Sequence, residues 1–173
     1  MRTRLISLLL CTAVLAMPAS AAVYLERDVF LQRAFGEVPR SQTLWLKGDI
    51  KQAVQGILGH DYRSLRVRYW QHGDKTAWVL DEIGKEQPIT IGIVVAADHI
   101  EQVQILAFRE SRGWEVRHPF FTEQFQGASF FQGTELDRPI DGISGATLSV
   151  KAVTKVSRLA LYLHQRVLAA SAL

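Results

Sequence analysis

The sequence predicts an α+β domain in which an antiparallel four-stranded sheet, a meander, packs against one long C-terminal helix, with one or two shorter helices before the sheet. Three observations carry this expectation. Four runs rich in β-branched and aromatic residues follow one another across segments too short for the dozen or more residues that a parallel crossover needs. The last long segment repeats its apolar residues at helical spacing. Nothing repeats, and no stretch is long or biased enough to be a linker between domains, so a single core is expected.

From Tyr24 to Phe35 the apolar residues Val29, Leu31, Ala34 and Phe35 are loosely helical, and Gly36 to Arg40 interrupts them. Leu46, Ile50, Val54, Ile57 and Leu58 recur at helical spacing, with Gly59 as a C-terminal stop. The strands run from Leu65 to Trp70, Thr76 to Ile83, Ile89 to Ala96 and Ile100 to Phe108, separated by His72-Gly73-Asp74, by Gly84 to Pro88 and by Ala97-Asp98-His99. Arg66 and Arg68 alternate with Leu65, Val67 and Tyr69, and Gln102 and Gln104 with Val103 and Ile105. Such patterning puts one sheet face in the core and the other nearer solvent.

A helix from about Ala146 to Ala170 covers the buried face. Val153, Val156, Ala160, Leu163 and Val167 form its apolar stripe, with Lys151, Lys155 and Arg158 opposite. Lys155 and Arg158 read as a solvated face. The mature domain, 22–173, then divides into a helical N-terminal part (22–64), the sheet (65–108), a loop region (109–140) and a motif with its helix (141–170).

Before that domain, Arg2 and Arg4 precede an apolar run from Leu5 to Ala16 and the small residues Ala19 to Ala22. This is the pattern of a cleaved secretory signal over residues 1–21. The run falls short of the roughly 20 apolar residues of a spanning helix. A periplasmic protein is expected, with membrane association only if the signal is retained. Cys11 is the sole cysteine and lies inside the signal, so the mature chain is expected to hold no disulfide and no thiolate ligand. Of the 20 Lys and Arg that face 17 Asp and Glu, two lie in the signal, which leaves the mature domain near neutral and gives no case for nucleic acid. His60, His72, His99, His118 and His164 show no metal-ligand spacing.

The remaining signal is Asp141-Gly142-Ile143-Ser144-Gly145-Ala146-Thr147-Leu148-Ser149. It reads as a helix start: Ser144 can cap, Gly145 and Ala146 leave the backbone open, and Asp141 lies just before the first turn. A helix start gathers unpaired N–H groups and the positive end of the dipole, which suits a phosphate. Most such starts bind nothing, so spacing alone leaves that choice open. At 100° per residue Thr147 lies one turn from Lys151 and nearly opposite the apolar stripe, so its hydroxyl is expected to face out of the core.

Asp141 to Ser149 resembles the flavinylation sequence of the FMN-binding domain family, which includes the covalent-FMN subunits of the sodium-translocating NADH:quinone reductase and of the Rnf complex. Arg109-Glu110-Ser111-Arg112-Gly113-Trp114-Glu115-Val116 resembles that family's Glu-Thr-x-Gly segment, and Phe120 to Gly127 leads on to the motif in the family's order. Ser111 stands for the commoner Thr, and Arg112 where Rnf-type subunits often carry Pro. The likeness runs from about Ile89 to the C-terminus. It implies FMN esterified to Thr147, moved there from FAD by a flavin transferase, with Asp141, Gly142, Ser144, Gly145 and Ala146 forming the attachment turn. It also implies Glu110, Gly113 and Trp114 near the isoalloxazine, and Lys151 as a candidate to offset the phosphodiester charge.

A short chain with a cleavable signal looks like a stand-alone periplasmic member. The expected function is electron transfer between a membrane-associated redox protein and another carrier, with no catalytic residue of its own. The alternatives are a flavin-dependent reductase of a small electron acceptor, which predicts an open apolar pocket, and a non-redox module whose helix start holds a phosphate or a partner, with no covalent flavin.

Overall fold

The structure is a computed structural model that describes residues 22–171. The segment expected to be a signal, residues 1–21 with Cys11, lies outside the described residues. The elements are β1 (Ala22–Val23), α1 (Arg27–Phe35), β2 (Ser41–Trp45), α2 (Gly48–Leu58), β3 (Arg66–His72), β4 (Lys75–Ile83), β5 (Pro88–Ala96), β6 (His99–Phe108), α3 (Pro119–Thr122) and α4 (Thr147–Ser171). Two short 3-10 turns, Trp114–Arg117 and Glu123–Phe125, flank α3.

The sheet is antiparallel and has six strands, in the order β1-β6-β5-β4-β3-β2, rather than four. The expected meander forms its centre, and β1 and β2 add an edge on each side. Both additions come from the N-terminal part that the sequence assigns to helices. Two residues are too few to show an alternation, and β2 is mostly exposed, so neither carries the apolar signature of a strand.

Helix α4 lies across one face. Its predicted stripe, Val153, Val156, Ala160, Leu163 and Val167, is buried against Trp78, Ile91, Ile93 and Ile105. Full burial of a Val or Leu contributes about 1.5–3 kcal/mol, so this stripe is the main tie between helix and sheet. The second face is not left to solvent. Phe30 and Leu31 of α1 are fully buried there with Trp70, Ala77, Val94 and Leu106. Gly92, in the middle of β5, makes room for this contact: a Cβ on it would lie 2.8 Å from the Phe30 ring.

Lys155 and Arg158 are not a solvated face either. The Lys155 ammonium donates to the Leu58 carbonyl at the C-terminal end of α2, where the helix dipole favours a cation. Arg158 Nε donates to Thr134 O at 2.6 Å and its guanidinium pairs with Glu135 Oε1 at 2.6 Å. The segment 109–140 is likewise more than a loop, because Val116, Phe121, Phe125 and Ala128 are buried core residues.

Candidate functional site

A tight turn delivers the chain into α4. The Ala146 N–H donates to Ile143 O at 2.9 Å, and Gly145 within that turn sits at φ 81°, a conformation that costs an L side chain roughly 1–2 kcal/mol. Because α4 starts at Thr147, its N-cap is Ala146, whose carbonyl accepts from Val150 N–H at 2.9 Å. Ser144 stands two residues too early to cap. Ala146 carries no side-chain acceptor, and the hydrogen bonds among the described residues leave the N–H groups of Thr147, Leu148 and Ser149 without a protein partner. The positive end of a 25-residue helix is thus open to an anion.

Thr147 is exposed, as its angle from the apolar stripe predicts. It opens on a cleft of about 570 Å³ lined by Lys85, Glu110, Ser111, Arg112 and residues 145–149. Of the predicted attachment turn, Gly145 and Ala146 line this cleft with Thr147; Asp141, Gly142 and Ser144 are exposed just before it. The Asp141 N–H is held by Gln124 Oε1 at 2.7 Å, which fixes where the turn starts.

Glu110 lines the cleft, but its carboxylate is committed elsewhere. Oε1 accepts the backbone N–H groups of Lys85, of Glu86 at 2.6 Å and of Gln87 at 2.9 Å. Partial burial works against the charge, yet these three donors and the nearby Lys85 ammonium outweigh it and hold the carboxyl below its usual range. Glu110 therefore stays ionised and weakly basic. It anchors the turn between β4 and β5, and so brings Lys85 to the cleft.

Gly113 sits at φ 89°, and a Cβ there would meet Ser149 Oγ at 2.5 Å. Its place is to let this segment close on the first turn of α4, where Ser149 is 4% exposed. Trp114 turns away from the cleft: the Arg117 guanidinium lies 4.9 Å from its ring, and His118 meets it edge-on at 5.4 Å. Lys151, one turn beyond Thr147, borders a separate groove.

Lys85 and Arg112 are the cations beside Thr147. Lys85 is unmarked in the sequence, because a lysine in a surface turn has no pattern that ties it to a helix start some sixty residues on; only the Glu110 contacts do that. Among the described residues no group of three or more His, Cys, Asp or Glu could hold a metal. His164 is buried, with Nδ1 2.8 Å from Thr76 Oγ1, and His60 Nε2 lies 2.8 Å from Glu82 Oε1.

The donor set suits the phosphate end of FMN: unpartnered helix N–H groups, two cations and an exposed hydroxyl around a cleft within the roughly 300–1,000 Å³ of small-molecule sites. The cleft's single carboxylate is weakly basic, so the chain presents an acceptor hydroxyl without a base to activate it.

Comparison with known proteins agrees with this geometry. No curated protein and no solved structure matches the chain. The family described as FMN-binding domain matches residues 84–162, a span that starts at the turn after β4 and includes Lys85, Glu110, Gly113 and Thr147. Residues 84–162 are by this match an FMN-binding domain, which supports FMN as the cofactor and a flavoprotein as the kind of protein.

Proposed function

We propose that this is an exported electron-transfer flavoprotein that carries FMN as a phosphoester on Thr147. The observation that carries the reading is the exposed Thr147 hydroxyl at the open N-terminus of α4, beside Lys85 and Arg112. Attachment forms a bond between Thr147 Oγ1 and the FMN phosphorus and breaks the pyrophosphate bond of FAD; AMP leaves with the hydroxyl proton. A flavin transferase catalyses that step, since the cleft holds no suitable base. The first-turn N–H groups donate to phosphate oxygens, and the two cations offset the diester charge.

Bound FMN supplies one- and two-electron transfer. The domain's part is to hold and orient it, and the tether keeps it in a compartment with no supply of its own. The export signal over residues 1–21 places the domain in the periplasm. A membrane-associated redox protein is its exchange partner. Among the described residues no helix is long and apolar enough to cross a membrane.

One observation favours the second reading, a flavin-dependent reductase of a small acceptor: an open groove of about 710 Å³ with an apolar floor lies one turn along α4 from Thr147. Steady-state turnover by the isolated protein separates the two. The shared claim is tested by expressing the full-length chain with a flavin transferase and measuring intact mass. Wild type is expected to gain the mass of FMN less water, and Thr147→Val to gain nothing. An unmodified wild type, alongside a labelled control substrate, contradicts the reading.

A further inference from the structure

The groove beyond Thr147 has a composition that the attachment chemistry does not use. Thr147, Val150, Lys151, Thr154, Lys155 and Arg158 recur at the spacing of a single helix face. The last five line the groove, so it begins where the attachment cleft ends. Its opposite wall is the segment from Phe131 to Ile140, which is an ordered hairpin: Phe131 N–H donates to Glu135 O at 3.0 Å, and Asp137 N–H to Ser129 O at 2.9 Å. This hairpin packs Phe130 and Leu136 on the core and yet leaves the Phe131 ring 73% exposed. An aromatic ring left open to solvent on such a hairpin is an available stacking surface.

The charge around that ring is one-sided. Four bases, Arg138, Lys151, Lys155 and Arg158, border the groove against Glu135 and Asp137. Both acids are already taken: Asp137 Oδ1 by Arg138 at 3.0 Å and Glu135 Oε1 by Arg158 at 2.6 Å. Arg138 also holds the Asp137 carboxyl below its usual range. Lys155 meets only a carbonyl, and Lys151 makes no ion pair among the described residues. Lys151 therefore stands unpaired, and Lys155 is offset only by the C-terminal end of α2, beside an apolar floor of Leu136, Pro139, Ile140 and Val150.

We infer that this groove is a binding site for a small planar aromatic anion, stacked on Phe131 with its anionic group on Lys151. The inference rests on the reading of Thr147 as the cofactor's anchor for its redox meaning, because the site places such a molecule about one helical turn, ~5 Å along the axis, from the attachment point. Binding itself needs no flavin, and the test exploits this.

The probe is anthraquinone-2-sulfonate, a planar electron-accepting anion, compared with its neutral 2-hydroxymethyl analogue. Equilibrium dialysis is carried out on Thr147→Val, which carries no flavin, and on the flavinylated wild type. One saturable site is expected on both, with the sulfonate bound about tenfold more tightly than the neutral analogue. Lys151→Glu should abolish that preference and leave the neutral analogue unchanged. Phe131→Ala should weaken both about tenfold, and Trp114→Ala neither. These side chains are exposed or at the rim, and unchanged circular dichroism confirms that the variants fold. No saturable binding below about 1 mM, or unaltered affinity in both groove variants, overturns the inference. Loss of the site on flavinylation alone also overturns it, since the cofactor would then fill the groove. Intact mass decides the tether separately, so either reading can fail while the other stands.

Discussion

Replacing Gly113 by alanine tests how the attachment site is held in register. The residue is at φ 89° and its added Cβ would lie 2.5 Å from Ser149 Oγ and 3.3 Å from Ser149 Cβ. The left-handed backbone costs a non-glycine residue roughly 1–2 kcal/mol, and overpacking at a closed contact about 1–3 kcal/mol. Together they predict a loss of about 2–5 kcal/mol, out of a total stability of about 5–15 kcal/mol. At ~2–4 °C per kcal/mol for a domain of this size, the melting temperature should fall by several degrees or more. Urea unfolding followed by circular dichroism measures the free-energy loss, and a thermal scan the shift in melting temperature. In the Gly113→Ala background, Ser149→Ala removes the worst contact and should restore part of the loss, leaving the backbone component; by itself Ser149→Ala should be near neutral. Gly113→Ala within ~0.5 kcal/mol of wild type, or no rescue by Ser149→Ala, refutes the packing argument.

Three further outcomes follow from other parts of the molecule. The turn between β5 and β6 holds Ala97 at φ 46° and Asp98 at φ 67°, so Ala97→Gly should stabilise by ~1 kcal/mol in urea unfolding. Lys155→Met removes the cation from the α2 C-terminus and should cost about 1–2 kcal/mol by the same measurement. The pH dependence pits two histidines against each other. Burial pushes His164 below its ordinary 6.5, so its contribution is complete above 6.5 and lost as the pH falls below it. The Asp61 carbonyl and Glu82 carboxylate raise His60, so its contribution is complete below 6.5 and lost as the pH rises through the raised value. Urea midpoints from pH 5 to 8 should therefore fall more steeply on the acid side in His60→Gln, and less steeply in His164→Gln.

The central sheet was legible because β3 to β6 carry β-branched and aromatic runs between short turns, and α4 because its stripe keeps a 3.6-residue period. Helix α1 reads only loosely, since its buried pair Phe30 and Leu31 are adjacent and form no stripe; that it closes the second sheet face depends on a cavity over Gly92 that exists only in three dimensions. Val116, Phe121 and Phe125 enter the core from short turns, which have no period to detect. At the site, the outward Thr147 follows from its angle to the apolar stripe. The rest depends on long-range contacts: Glu110 spends its carboxylate on a turn and so brings Lys85 to the cleft, and Gly113 serves Ser149. A motif marks where the chain is special, but it does not reveal which of its side chains are engaged in holding neighbours.

The most direct measurement is fragment mass spectrometry of the peptide that contains Asp141 to Lys151, taken from protein produced with a flavin transferase. The account predicts the mass of FMN less water on Thr147, with Ser144 and Ser149 unmodified. The same mass on either serine, or an unmodified peptide beside a labelled control substrate, would contradict it.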